Sequence, residues 1–176
     1  MFGDLAGNPT GKPLFRYTPP MESATSHIRP ATAQDITTIL QLRRHMYQDM
    51  GHTDPAALDR MMSLTHDYLT KAIPAKTFRA WLGEVQNEIV TGGAVVISPW
   101  PAHTYDLDCR RATILNVYTY PQHRRQGHAR KILETMIAWC KSEGFARVDL
   151  HASDDGRPLY ESLGFEPGNE MRLKLR

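Results

Sequence analysis

Near Pro74 the spacing of the apolar residues changes, and this switch constrains the fold more than any other feature of the chain. Before it, Ile36, Ile39, Leu40, Met46 and Tyr47, then Leu58, Met61, Met62, Thr65 and Leu69, recur near the helical period. After it, residues 77–85 and 89–97 are rich in β-branched and aromatic side chains on either side of Gln86-Asn87, the pattern of an antiparallel hairpin. Two helices followed by a hairpin exclude an all-helical bundle and an all-β sandwich.

Punctuation places the boundaries. A short extended piece at residues 27–29 precedes Thr32, which stands three residues before Asp35 at capping-box spacing; the helix that follows stops at Gly51. Thr53-Asp54-Pro55 announces the second helix, and Pro74 ends it. Ser98-Pro99-Trp100-Pro101 closes the hairpin, residues 99–111 read as a loop, and residues 112–118 as a strand suited to a central position. Ala129, Ile132, Leu133, Met136, Ile137 and Cys140 form one face of a long helix over about residues 128–143, with Gly144 at its C-cap position. Next come a strand at 147–151, a short helix at 154–163 capped by either Ser153 or Asp154 and ended by Gly164, and a last strand at 171–175. The expected class is α/β (α+β): a mixed sheet with helices on both faces, in one domain over residues 27–176. Residues 1–26, punctuated by Gly3, Gly7, Pro9, Gly11, Pro13, Pro19 and Pro20, read as an irregular arm. Phe2, Leu5, Leu14, Phe15 and Tyr17 are available to clasp the domain, and Met21 is an alternative start.

The 21 Lys and Arg against 19 Asp and Glu leave a net charge of +2, too small for a general nucleic-acid or membrane-surface binder, so charge has to be read locally. Cys109 and Cys140 give neither a disulfide framework nor paired zinc spacing, and no two of the eight histidines show the spacing of a zinc-binding helix with a nearby third ligand. No metal is expected. Cysteine usage and the lack of a signal-like or membrane-spanning apolar run point to a cytoplasmic protein.

The densest chemistry lies where the strand at 112–118 hands over to the long helix. Arg124-Arg125-Gln126-Gly127-His128-Ala129 puts a glycine at the opening of a helix N-terminus, where backbone N–H groups are unpaired and favour an anion. Gly127 permits close backbone approach, Ala129 keeps the first turn uncrowded, and Arg124, Arg125 and Arg130 supply positive charge. A pyrophosphate suits this chemistry, although a solvated basic helix start or a nucleic-acid patch would share the charges.

Val117-Tyr118-Thr119-Tyr120-Pro121 followed by Arg124-x-x-Gly127-x-Ala129 resembles the acetyl-CoA-binding motif of the GNAT (Gcn5-related) N-acetyltransferases. Leu159-Tyr160-Glu161-Ser162-Leu163-Gly164-Phe165 is similar to the same family's later helix signature. The likeness covers about residues 27–176. It implies a splayed, mostly antiparallel sheet in which pantetheine lies in a V between two strands, pairing with the backbone of Val117 and Thr119 beside Tyr118. The pyrophosphate then rests on the amides of Arg125, Gln126, Gly127, His128, Ala129 and Arg130.

By the same resemblance, an acetyl group passes directly from acetyl-CoA to a primary amine of a small molecule or peptide, and Tyr160 gives a hydrogen bond to the departing sulfur. Tyr160 also reads as a packing aromatic on a short amphipathic helix. The chain departs from members with a glutamate base on the central strand, since residues 112–120 contain no carboxylate. Glu84, Asn116 through a water, and Tyr118 are the candidate bases. A catalytically silent acyl-CoA-binding module is the alternative reading, and the sequence is compatible with a homodimer. Tyr47, Asp49, Met50 and His52 fall in the first interhelical segment, which in the family helps wall the acceptor pocket, and Trp100 lies in the loop before the central strand.

Overall fold

The computed structural model describes residues 26–175; the expected arm, with its apolar residues and Met21, lies outside the described residues apart from Ser26. β1 (His27–Pro30) leads through a 3-10 turn into α1 (Ile36–Asp49). The expected capping box forms: Thr32 Oγ1 accepts from Gln34 N at 3.3 Å, and Asp35 Oδ2 accepts from Thr32 N at 2.8 Å. The Arg29 guanidinium also donates to both Asp35 oxygens, at 2.8 and 3.0 Å. These bonds, chiefly those from Arg29, hold the carboxyl at about 2 against the opposing effect of burial. α2 (Pro55–Ala72) starts as expected, with Asp54 accepting from Ala56 N and Pro55 in the first turn.

β2 (Phe78–Val85) and β3 (Glu88–Pro99) form the hairpin, and Gln86 and Asn87 both adopt positive φ, 51° and 66°, as a two-residue turn matching the strand twist requires. β4 (Arg110–Thr119) pairs antiparallel with β3, and after α3 (His128–Ser142) the chain returns as β5 (Val148–Leu150), parallel to β4. The five strands therefore lie in sequence order, antiparallel except for the last pair.

Alternation along the strands divides the core. Phe78, Ala80 and Ala94 pack with Ile36, Ile39, Leu40 and Leu69 from α1 and α2. Trp81, Val95, Ala112 and Ile114 pack with Ile132, Leu133, Met136 and Cys140 of α3. Helices cover both faces, as the helical spacing predicts. Leu42, outside the predicted face of α1, is also buried, against Leu82 and Tyr118.

Several boundaries differ from expectation. β4 begins at Arg110, opposite Pro99, so the loop predicted over 99–111 is shorter than its composition suggests. The short helix α4 is confined to Arg157–Glu161, because Ser153 to Gly156 make a turn first, Ser153 Oγ accepting from Gly156 N at 3.2 Å. The strand expected at 171–175 does not form: Met171, Leu173 and Leu175 are exposed, and no strand among the described residues pairs with them. Alternating apolar residues build a strand only beside a ladder partner, and this segment is tied by side chains instead, through Glu170 to Arg111 and Arg172 to His151.

Candidate acyl-CoA site between β4 and β5

The site begins with a defect in the ladder. Gly92 faces Tyr118 and Ala94 faces Leu115, so Gly93 alone stands opposite both Asn116 and Val117, and Asn116 takes φ 57° to hold the extra residue. β5 pairs with β4 only at Ala112, Thr113 and Ile114. Beyond Ile114 the two parallel strands part, and β4 from Leu115 to Thr119 has no partner residue on its β5 side among the described residues.

Backbone direction follows from the register. Tyr120 N donates to Val90 O at 3.0 Å, so two residues earlier Tyr118 also points its peptide groups at β3, while Val117 and Thr119 point theirs into the gap. The Thr119 carbonyl accepts there from Arg124 Nε at 3.0 Å. Buried Thr91 fixes this end of β4 from the other side, its Oγ1 donating to Tyr118 O at 2.9 Å and lying 2.8 Å from Thr119 Oγ1.

The gap opens onto the start of α3. Gly127 is the N-cap, at φ 85°, and a Cβ added there would meet nothing within 4 Å. The first bond of the helix runs from Lys131 N to Gly127 O at 3.1 Å, which leaves the N–H groups of His128, Ala129 and Arg130 ahead of it. Arg125 also takes positive φ, 63°, which turns the loop back toward the helix. Gln126 donates through Nε2 to Gln122 O at 3.2 Å, and its Oε1 lies 3.4 Å from His128 Nε2. Burial, with His123 and Lys131 nearby, pushes the His128 imidazole below its ordinary range, so it adds no positive charge.

The cations are distributed differently from the sequence expectation. Arg124 is turned away from the helix start, donating to Asp49 and lying 5.5 Å from the Tyr118 ring centre. Arg130 donates to Ser162 Oγ at 2.6 Å and pairs with Glu134 at 3.7 Å, fastening α3 to the end of α4. Arg125 is exposed beside the glycine. Tyr160 packs against the α3 core cluster and has Phe165 edge-on at 6.0 Å; burial raises its hydroxyl pKa, which keeps it a proton donor.

Sequence reasoning missed the polar connections on the α1 side of β4. Tyr118 OH donates to Asp49 Oδ2 at 3.0 Å, and Arg124 donates to the same oxygen. Burial pushes the Asp49 carboxyl up, but these two donors outweigh it and hold the group below the usual carboxylate range. Burial and the Asp49 carboxylate push the Tyr118 hydroxyl up to about 12. One turn and a half earlier on α1, Arg43 donates to Asn116 Oδ1 at the bulge and to Tyr47 OH at 3.3 Å. No spacing rule links residues more than 60 apart; only an unpaired charge on an otherwise apolar helix face hinted at Arg43.

A cleft of about 390 Å³ at the far end of the sheet is lined by Thr77, Arg79, Cys109, Arg110 and Trp139 and contains none of the β4–α3 residues. Among the described residues no group of three or more His, Cys, Asp or Glu side chains could hold a metal, and no helix is long and apolar enough to cross a membrane. Trp100 stacks on Arg111 at 4.6 Å, at the opposite end of β4 from the gap's mouth.

A parted pair of parallel strands leading to an open helix N-terminus offers unpaired backbone groups along its length and anion-favouring N–H groups at its end. The chain belongs to the acetyltransferase (GNAT) domain family, whose sequence profile matches residues 76–167, just over half of it. It is 26% identical to a GCN5-related N-acetyltransferase from Ralstonia eutropha JMP134, whose crystal structure matches with a TM-score of 0.78 over 85% of this chain and 98% of that one. The structure of a predicted acetyltransferase from Clostridium acetobutylicum with acetyl-CoA matches with a TM-score of 0.76 at 25% identity, over 86% of this chain and 96% of that one. Human N-acetyltransferase 8B is 27% identical over 119 residues, which cover 65% of this chain and 48% of the human protein. The matched part spans about half the length of the human relatives.

Proposed function

We propose that this chain transfers an acetyl group from acetyl-CoA directly to a primary amine of a small molecule or peptide. The observation that carries the reading is the unpaired edge of β4 beyond Ile114, which runs into the open, glycine-capped start of α3. Val117 and Thr119 would pair with the pantetheine amides, and the N–H groups from Arg125 to Arg130 would hold the pyrophosphate. Arg125 supplies the charge there, whereas Arg124 and Arg130 serve chiefly to brace the site. The structural relative solved with acetyl-CoA supports the same cosubstrate.

Acetyl-CoA supplies an activated thioester. The amine nitrogen bonds to the carbonyl carbon, the carbon–sulfur bond breaks, the nitrogen loses a proton and the sulfur gains one. Tyr160, protonated and packed beside the α3 core, is the donor to sulfur. Reference pKa values near 10 for tyrosine and 8.5 for a thiol make complete transfer uphill by about 2 kcal/mol, so Tyr160 hydrogen-bonds the sulfur and shares its proton late.

Of the three candidate bases, Tyr118 is held protonated by burial and by the Asp49 carboxylate, and Glu84 is committed to Arg29 at 2.6 Å. Asn116, at the bulge, is left to order a water that takes the amine proton. The missing carboxylate on β4 favours one second reading, an acyl-CoA-binding module without turnover.

Thermal unfolding with acetyl-CoA, together with thiol release across an amine panel, tests both. Stabilisation with turnover supports transfer, stabilisation without turnover on any amine supports the silent module, and no binding of acetyl-CoA overturns both.

A further inference from the structure

Arg43 lies on α1 at the point where β4 bulges, half-buried over the Tyr47 ring, with its guanidinium carbon 4.9 Å from the ring centre. A guanidinium carries five N–H groups. Here one donates to Asn116 Oδ1 and one to Tyr47 OH, and the Nε proton is covered from solvent without any partner among the described residues. Both partners are neutral. No carboxylate among the described residues pairs with Arg43, although Arg29, Arg44, Arg110, Arg111, Arg124 and Arg130 all have one.

A guanidinium stripped of part of its water and given no anion is an uncompensated charge, which a ligand carboxylate would compensate. Asn116 and Tyr47 fix the plane of the fork, so an incoming carboxylate meets donors that are already oriented. The position fits an acceptor rather than the cosubstrate: α1 packs on the face of the sheet opposite α3, whose N-terminus is the phosphate cradle. Asn116 lies at the narrow end of the gap, where β4 and β5 begin to part.

We infer that Arg43 binds a carboxylate on the acceptor, so that the preferred acceptors are amino acids or other amines bearing a free carboxylate. This rests on the acetyltransferase reading above and narrows its acceptor class.

The test uses matched acceptors, free amino acids against their α-carboxamides, with the full-length protein and acetyl-CoA. In the wild type, kcat/KM for the best acid should exceed that of its amide by about 10- to 100-fold, the range expected for charge-assisted hydrogen bonds. Arg43→Gln should bring that ratio to about 1, chiefly through KM for the acid, and Arg43→Lys should restore part of it. Equal use of acid and amide by the wild type, or a ratio that survives in Arg43→Gln, would overturn the inference. So would an equal loss on both acceptors, which is the signature of a structural residue.

If no amine in the panel is acetylated although acetyl-CoA binds, the transferase reading fails, and binding alone decides the subsite. Thermal unfolding of the CoA-loaded protein should then show stabilisation by the acid beyond its amide in the wild type and none in Arg43→Gln; no such difference in the wild type rejects the subsite.

Discussion

Tyr160 packs against the α3 core and, in the proposed reaction, also donates to sulfur; Tyr160→Phe separates the two roles. The phenyl ring keeps its place beside Phe165 and the α3 cluster, so stability and acetyl-CoA affinity should change little. Turnover should fall by about 10- to 1,000-fold, the smaller figure if the hydroxyl only hydrogen-bonds sulfur. Wild-type turnover by the variant, measured where chemistry limits the rate, would reduce Tyr160 to a packing residue. Gly127 offers a second separation, because the space around it is empty while its φ is 85°. Gly127→Ala should therefore cost only about 1 kcal/mol of backbone strain in urea unfolding. Gly127→Glu should lower acetyl-CoA affinity by more than about 10-fold in a protein that still folds, since it adds a negative charge beside the phosphate cradle. Unchanged affinity would place the phosphates elsewhere.

Among the elements, β4 and α1 do most to shape the site. Opposite the bulge at Asn116, α3 leaves no room on β3: a Cβ on Gly93 would come within 2.8 Å of Ile132 Cγ2 and of Met136 Cε. Gly93→Val should destabilise the fold by about 1–3 kcal/mol in urea unfolding, through overpacking between β3 and α3. At the start of α1 the Asp35 carboxyl titrates near 2 in the fold and near 3.9 when unfolded. Because the folded value is the lower, the unfolded chain binds more protons in this range, so the Asp35 contribution is complete above about pH 4 and is lost as pH falls toward 2. Wild type should lose stability over that window more steeply than Asp35→Asn in acid-unfolding curves.

For the whole molecule, a ligand bound only by the native state adds about 2.7 kcal/mol of stability at one hundred times its dissociation constant. Acetyl-CoA at that level should raise Tm by a few degrees, and at the same concentration Gly127→Glu should cut the rise to about half or less. The elements that build the groove were largely legible in sequence, because each is set by local chemistry: the Thr32–Asp35 box, the Asp54-Pro55 start, the Gln86-Asn87 turn and the glycine at the start of α3. The segment at 171–175 shows where the same logic stops, since its alternation is strand-like and no strand among the described residues pairs with it.

By itself, then, the sequence determined the order of the helices and of the first five strands and the two-faced core, because period, caps and turn residues act over a few positions; the resemblance to the family was carried by the motifs at residues 117–129 and 159–165. Tertiary structure alone decided which charges face the groove. Arg124, a phosphate-ligand candidate in sequence, donates to Asp49 in the fold, while Arg43, marked in sequence only by its place on an apolar helix face, stands over the bulge with no carboxylate partner among the described residues. The physical reason is the range of the interactions: an ion pair forms wherever folding brings opposite charges within about 4 Å, and a separation of 75 positions between Asp49 and Arg124 leaves no local signal of it.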